Sequence, residues 1–292
     1  MMKKIYLILP ILAGIMFGSS GIFVRTLTQN GINQTTLLFL RFSIAIIPLL
    51  IAIFLTDKKL LKIDLSDLPM FLVCAACIVG LNLGYNESMN TVPLSLAAVL
   101  LSLAPIFVII FAYVFFKEKI TIKKLICMLL AIFGCLLMTG ILENSIINIP
   151  LYGIICGLIA AFFWAIYLMA SKKSIETGKH TFTILFYSVI IISIGLLPFT
   201  DFTQIHNFIS INPLTVILFL LIHSTFSFAL PYILSTLSLN YIESGVSSIL
   251  LSGAEPLAAL IFGFLIYFEI PTILMICGFI LTLISMAVLS RN

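Results

Sequence analysis

Apolar residues in this chain form uninterrupted runs of about 20 residues, and polar residues collect in the short stretches between the runs. Strands of a membrane barrel would instead show alternation at period two. A helix of about 20 apolar residues crosses the hydrocarbon core of a bilayer and satisfies its own backbone hydrogen bonds there. The pattern therefore predicts an all-α polytopic membrane protein with ten transmembrane helices, at residues 5–26, 34–55, 69–91, 94–116, 121–141, 151–171, 181–199, 213–238, 246–267 and 271–290.

The composition supports this prediction. Hydrophobic residues make up 62% of the chain, charged residues make up 9%, and the mean hydropathy is +1.28. A soluble domain of 292 residues could not bury that much apolar surface, so the lipid bilayer is an expected partner. Lys3 and Lys4 before an apolar run are also typical of a signal peptide, but the whole downstream chain is equally apolar. We interpret the run as an uncleaved first helix.

Lysine and arginine set the expected orientation, because short cytoplasmic loops are enriched in both. With ten spans, the lysines fall on one side together with Arg291: Lys3, Lys4, Lys58, Lys59, Lys62, Lys117, Lys119, Lys123, Lys124, Lys172, Lys173 and Lys179. Both termini are therefore predicted to be cytoplasmic, in a multi-pass protein of a bacterial plasma (inner) membrane. The net charge of +4 reflects this bias, and no charged stretch indicates binding to nucleic acid.

The last two spans of each half share a spacing of a proline, a glutamate thirteen residues later, and a threonine three residues further on. The two sets are Pro105, Glu118 and Thr121, and then Pro256, Glu269 and Thr272. Phe17-Gly18 in the first span likewise corresponds to Phe163-Trp164 in the sixth. We predict two related five-helix repeats, residues 1–145 and 146–292.

Five is an odd number, so the second repeat is expected to enter the membrane inverted relative to the first. Inverted repeats of this kind build secondary transporters, with a substrate site near the bilayer midplane and alternating access around it.

The residues resemble a known family at several points. Arg41 stands in a Leu-Arg-Phe context, Ala254-Glu255-Pro256 precedes an apolar run that ends in Tyr267-Phe268-Glu269, and Pro105 through Lys117-Glu118-Lys119 gives the matching end of the first half. The chain resembles EamA-type transporters of the drug/metabolite transporter superfamily, over residues of about 6–140 and 151–290. The resemblance implies export of small organic metabolites, such as amino acids or amphipathic toxic compounds, through a cavity lined mainly by the third, fourth, eighth and ninth spans. It does not specify the substrate.

Glu255 is the foremost candidate, because it stands alone within the apolar ninth span and the repeat places Ala104 at its position. A charge near the middle of a membrane helix costs about 2.5–3.5 kcal/mol on insertion scales, so this side chain should face the bundle interior. Ser248 and Ser252 share its helical face, where they either line the site or pack helices together. The carboxylate could exchange a proton or pair with a substrate ammonium, and the sequence leaves both roles open.

Other candidates lie at similar depth. His223 on the eighth span could titrate with Glu255, or it could be a neutral histidine bonded within the protein. Asn82 and Asn86 recur at a helical step with Tyr85 beside them, so they either contact a ligand or join helices. Trp164 lies in the middle of the sixth span, where it either stacks on a substrate ring or packs.

A second group lies in the outer third of its spans. Arg41 and Glu87 could form an external ion pair that serves as an outer gate or as fixed bracing, and Arg25 lies at the end of the first span. For Arg41 we favour bracing.

Several function classes lack their motifs. Cys74-Ala-Ala-Cys77 has metal-ligand spacing but no second cysteine pair and no nearby histidine, so we expect no metal site and no cofactor. The nucleophile elbow, the zinc-protease motif and the phosphate-binding loop of ATP-driven pumps are missing, which argues against an enzyme. We predict a secondary active transporter, an exporter of a small-molecule substrate that is coupled to protons in one version of the hypothesis. A non-coupled facilitator or exchanger, or a membrane protein without transport, are the alternatives, and the sequence leaves the oligomeric state open.

Overall fold

The computed structural model describes residues 5–92, 94–140, 142, 150–268 and 270–291, without the side chains of Arg25, Thr28, Leu94, Ser95 and Tyr267. We number its long helical segments α1 to α10 in chain order, and four of them consist of more than one piece. The bounds are α1 Ile8–Gly18 and Ser20–Gln29, α2 Gln34–Thr56, α3 Leu68–Thr91, α4 Leu94–Leu101 and Ala104–Phe116, α5 Ile122–Met138, α6 Leu151–Glu176, α7 Thr181–Leu196 with the 3₁₀ turn Leu197–Phe199, α8 Pro213–Ser224, the π turn Thr225–Ala229 and Leu230–Ser238, α9 Ser244–Tyr267, and α10 Ile273–Ser290.

Each helix corresponds to one predicted span. Within the described residues, eight helices are long and apolar enough to cross a membrane. Two are shorter: the apolar stretch Ile8–Val24 in α1, and α5 with 17 residues. The prediction of an all-helical polytopic membrane fold is therefore confirmed, while the count of ten spans and the inversion of the repeats stay predictions.

Prolines explain two of the helix interruptions. α4 stops at Leu101 and restarts at Ala104, so that Pro105 lies in the first turn of the second piece, where its missing N–H costs nothing. In α8, Pro231 has no N–H to donate to the carbonyl four residues earlier, on Ser227. The helix widens into the π turn Thr225–Ala229 at that point, a feature found often at functional sites.

The loops on the lysine side of the chain meet at one end of the bundle, which we call the Lys-rich end. Lys179 Nζ lies 2.6 Å from an Asp67 carboxylate oxygen, Lys172 lies 2.5 Å from Glu118, and Lys124 forms an ion pair with Glu243. At the opposite end, the Asp201 N–H donates to Thr36 Oγ1 at 3.0 Å. The helix ends and loops that carry these lysines therefore lie together at one end, and the segments around Thr36 and Asp201 lie at the other.

Three helix pairs make the most extensive contacts among the described residues: α1 with α9, α3 with α6, and α5 with α10. Each pair joins the first half of the chain to the second. Glycines permit the close approach, because a Cβ on Gly134 would lie 2.8 Å from the Gly278 carbonyl oxygen and one on Gly278 would lie 2.5 Å from that of Gly134. In the same crossing, Ser285 Oγ donates to the Cys127 carbonyl at 2.6 Å. The two halves are therefore packed against each other along three helix pairs.

Matched helix ends occur 151 residues apart, the offset of the sequence repeat. Lys117 ends α4 and Phe268 ends α9 with the same left-handed backbone, at φ/ψ of 57°/27° and 56°/29°. Thr121 and Thr272 then cap the following helices, each accepting a backbone N–H three residues on. These shared ends support the repeat. Glu269, the counterpart of Glu118, lies outside the described residues.

One helix is not in the predicted set. Phe202–Ile211 is a short segment between α7 and α8, capped by Asp201, whose carboxylate accepts the Thr203 and Gln204 N–H groups. Phe208 is buried, while most other side chains of this helix are exposed or partly exposed. Its ten residues are too few to cross a membrane, and it lies along the end opposite the Lys-rich one.

Candidate functional site

Glu255 lies in the middle of α9, directly against α1. A Cβ on Gly14 would lie 3.0 Å from the Glu255 backbone nitrogen, and one on Gly18 would overlap the Glu255 carbonyl oxygen. The two glycines therefore let the α9 backbone touch α1 at this residue. The Glu255 side chain is partly exposed, and Arg41, Tyr85 and Tyr232 lie within electrostatic range of its carboxyl group.

Arg41 of α2 supplies the positive charge of the site. Its Nη2 donates to the Ser227 carbonyl, the group that Pro231 leaves without its usual partner in α8. The guanidinium carbon lies 5.8 Å from the centre of the Phe228 ring, and Nε is buried without a partner. Arg41 and Glu255 thus interact electrostatically without the close contact of an ion pair, and each keeps atoms free for another group.

α3 contributes amides and a phenol beside this pair of charges. Asn82 Nδ2 donates to the Ile78 carbonyl at 2.7 Å, within its own helix, and its side chain also interacts with Tyr232. Asn86 Nδ2 is buried without a partner. Tyr85 interacts with Glu255. The structure therefore places Tyr85 near Glu255 and Asn82 near Tyr232, and Asn86 lies one helical turn beyond Asn82 on α3.

An aromatic cluster forms the other side. Trp164 is 5% exposed; its ring stacks on Tyr167 with centroids 5.4 Å apart and meets Phe17 and Tyr232 edge-on at 5.8 and 5.5 Å. Its described neighbours are aromatic side chains of α1, α6 and α8, in geometries that stabilise ring pairs. Trp164 therefore packs within the wall of the site.

Tyr232 was not predicted, and it connects the charged and aromatic parts. It interacts with Arg41, Glu255 and Asn82, while its ring packs on Phe17, Trp164 and Phe228. The sequence signal that could have found it is its place directly after Pro231, on the inner face of a kinked helix.

His223 lies next to the π turn, on the Arg41 side of the site. Nδ1 lies 3.3 Å from Ser227 Oγ, Nε2 is buried without a partner, and the ring packs on Phe23 with centroids 5.2 Å apart. Its described electrostatic partner is Arg41, and no described contact joins it to Glu255. The predicted titration of His223 together with Glu255 therefore has no contact to support it among the described side chains.

The exposure of the side chains on one face of α9 changes along the helix. Ser244 and Ser248 are buried, Ser252 and Glu255 are partly exposed, and Ala259 further along is exposed. α3 shows the same gradient, from buried Ile78 through partly exposed Asn82 and Asn86 to exposed Asn90. On both helices the exposed fraction of these side chains thus rises from the Lys-rich end toward the opposite end.

The external pair of Arg41 with Glu87 is not among the described contacts, and the role of these residues in an outer gate or in bracing stays a prediction. Arg41 donates to Ser227, and within the described part of the chain Glu87 makes no ion pair with it. The physical reason is the orphaned carbonyl in α8, which holds the guanidinium on the inner side of α2. Glu87 itself is partly exposed near the end of α3, and the side chain of Arg25 lies outside the described residues.

The described residues contain no metal site, and the large cavity among them is mainly apolar. Among the described residues no group of three His, Cys, Asp or Glu side chains could hold a metal ion. A cavity of about 510 Å³ opens between α2, α3 and α7, but apart from Thr35 its lining is apolar or glycine, for example Leu72, Val79 and Gly195. It does not include any of the site residues.

The fold and this site define the class of protein: a polytopic helical membrane protein with opposite charges, amides and aromatic rings gathered inside the bundle. A model of the EamA-like transporter family matches residues 4–140 and again 151–291. The chain belongs to the EamA-like transporter family.

Relatives of similar length occur in distant organisms. A protein of Archaeoglobus fulgidus named an uncharacterised transporter is 26% identical over 273 residues, covering 92% of this chain and 90% of its own. One of Clostridium kluyveri with the same name is 27% identical over 226 residues, covering 75% and 72%. A solved crystal structure with 14% identity superposes with a TM-score of 0.80 over 97% of this chain and 95% of the other, which shows the shared fold.

Proposed function

We propose that this chain is a secondary active transporter that exports a small organic metabolite by alternating access. The observation that carries the proposal is the pair of opposite charges, Arg41 and Glu255, held apart inside a helical membrane bundle. Charges in such a setting are costly and mark substrate or ion pathways. The amides of α3 and the ring of Tyr232 beside them add the polar and aromatic groups that a ligand site uses.

The matched helix ends at Lys117 and Phe268 and the two matches to the family support two inverted five-helix repeats, residues 1–145 and 146–292, with both termini cytoplasmic. In that orientation the Lys-rich end faces the cytoplasm, in the plasma (inner) membrane. The burial gradient along α3 and α9 then corresponds to a state closed to the cytoplasm and accessible from outside.

The charges favour a substrate with a carboxylate and an amine, such as an amino acid. Arg41 has a buried Nε free for a carboxylate, and Glu255 can pair with an ammonium group. An amphipathic toxic cation would need only Glu255 and the aromatic cluster, so Arg41 separates the two substrate classes. Proton coupling through Glu255 is a further part of the proposal.

The test is uptake of a mixed amino-acid and metabolite pool into proteoliposomes, with and without an imposed pH gradient. Wild type is compared with Glu255→Gln, and with Glu176→Gln as the matched control, because Glu176 is exposed at the end of α6. We expect gradient-stimulated uptake in wild type and control, and its loss by at least about tenfold in Glu255→Gln.

Equal uptake with and without the pH gradient in all three proteins would indicate a facilitator or exchanger instead of a coupled transporter. No saturable uptake of any compound would support a membrane protein without transport and overturn the proposal. Equal stimulation in wild type and Glu255→Gln would remove the coupling role of Glu255.

A further inference from the structure

Glu118 lies at the Lys-rich end, away from the polar site, and joins three helices through one carboxylate. It follows Lys117, whose left-handed backbone ends α4, and its own N–H donates to the Ala112 carbonyl at 3.1 Å. This hydrogen-bonded helix end fixes the starting point of the side chain. The carboxylate lies 2.5 Å from Lys172 Nζ of α6, in a pair whose side chains are only 8% and 14% exposed.

The same carboxylate caps α9. Its Oε1 accepts the Ser244 N–H at 2.9 Å, and its Oε2 accepts the Gly245 N–H at 3.4 Å. The first N–H groups of a helix lack partners within the helix and form the positive end of its dipole. Glu243, at the N-cap position, makes no side-chain hydrogen bond to them. A residue of the first half of the chain therefore caps a helix of the second half.

The capped end of α9 lies between the Lys-rich end of the bundle and Glu255, on the same helix. Ser244 and Glu255 are eleven residues apart, about 16 Å along α9. Gly245 packs on Ile109 of α4, where an added Cβ would lie 3.0 Å from the isoleucine side chain. Because Ser244 and Ser248 are buried here, this stretch closes the site toward the Lys-rich end.

We propose that Glu118 is a latch that keeps the site closed toward the Lys-rich end, and that opening to that side requires its carboxylate to leave Lys172 and the first N–H groups of α9. The inference rests on the proposed function, since a latch matters only if the site opens alternately. It adds a residue outside the substrate site that controls which side the site faces.

Protonation does not release this latch at neutral pH. Burial alone would raise the pKa of Glu118, but the hydrogen bonds from Lys172 and from the Ser244 N–H outweigh it and hold this pKa below its usual range. A lowered pKa in the folded state means that the contact is present above the ordinary pKa and lost only as pH falls through the lowered one. Release therefore comes from exchange of partners as α9 moves.

The test measures access to the buried face of α9. A single cysteine is introduced by Ser248→Cys into a chain whose six cysteines are replaced, and its rate of reaction with a membrane-impermeant maleimide is measured from the Lys-rich side of oriented proteoliposomes. Glu118→Gln keeps the size of the side chain but removes its charge. We expect about a tenfold faster reaction than in the parent, because a buried pair has been broken.

Glu243→Gln is the matched control at the same helix end. Glu243 pairs with Lys124, but its side chain is 49% exposed, so the pair contributes little and the reaction rate should change less than about twofold. Lys172→Gln removes the other partner and should also accelerate the reaction, and it serves as the second variant if Glu118→Gln does not fold. Wild-type access should be unchanged between about pH 6 and 8.

An unchanged reaction rate in folded Glu118→Gln, or in folded Lys172→Gln where the first does not fold, would overturn the latch. Equal acceleration by Glu243→Gln would also overturn it, by showing general loosening of that end. Uptake by wild type is measured on the same preparations. Acceleration without any wild-type uptake would keep a closure by Glu118 and reject transport, whereas wild-type uptake without acceleration would keep transport and reject the latch.

Discussion

α4 and α9 are related by the sequence repeat, yet only α9 carries a charge in its middle. Both have a proline at the matching position, end in a left-handed residue and are followed by a threonine cap. They differ where the site is built: α4 breaks before Pro105 and has buried Ala104, while α9 runs through Pro256 without a break and has Glu255. The comparison shows that the repeat determines the helix ends and their caps. A few residues that differ between the halves provide the polar groups of the candidate site.

Moving the charge to the other helix should have the largest effect. Ala104 is 1% exposed and packs in the apolar core, so Ala104→Glu would bury a carboxylate without a partner. We expect a loss of about 3–5 kcal/mol in stability, or failure to fold. Thermal unfolding in detergent measures it, with Ala104→Leu as the control for added volume. A stable, folded Ala104→Glu protein would show that α4 can hold a charge as α9 does.

The next effect concerns the contact that holds α9 at Glu255. Gly18 of α1 lies against the Glu255 backbone, while its counterpart in α6 is the bulky Trp164. Gly18→Ala would place a methyl group on the Glu255 carbonyl, and we expect a loss of about 1–3 kcal/mol together with reduced uptake.

Gly21→Ala is its matched control, because a Cβ there would meet nothing within 4 Å. Its stability should change by less than about 0.5 kcal/mol. The same unfolding scans and uptake assays compare the two glycine variants. If both lose stability equally, close packing on α9 is not the reason for Gly18.

The smallest effect tests what holds the Arg41 guanidinium at α8. Pro231→Ala restores an N–H that competes for the Ser227 carbonyl, so the cost of Arg41→Lys should be smaller in that background. We expect a coupling of about 0.5–1.5 kcal/mol in a double-mutant cycle of unfolding stability. Additive effects would mean that the proline and the arginine act independently.

The sequence predicted the helices well, because long apolar runs are decisive in lipid. It also singled out Glu255, Asn82 and Trp164, because polar and aromatic residues are conspicuous in apolar spans, and their role in binding stays a prediction. It could not find the partner of Arg41, since that partner is a backbone carbonyl whose availability depends on a proline in another helix. Tyr232 was missed for a similar reason: its role depends on the three helices that meet at its ring.

The sequence indicated only part of what the structure shows for Glu118. Its repeat position and the side of the membrane on which we predict it can be derived from the sequence, but its contact with α9 depends on how the two halves dock. Contacts between segments more than a hundred residues apart have no local pattern to reveal them.

The interlocked helix pairs also constrain how the protein is made. The packing partner of α1 is α9, that of α3 is α6, and that of α5 is α10, where Gly278 lies against Gly134. Each half is a unit of sequence, but neither can complete its own packing. Membrane insertion can proceed helix by helix, as independent spans do, while assembly of the bundle has to await synthesis of the last helix. A chain that ended at residue 140 would leave the surfaces of α1, α3 and α5 without the helices that they pack on in this structure.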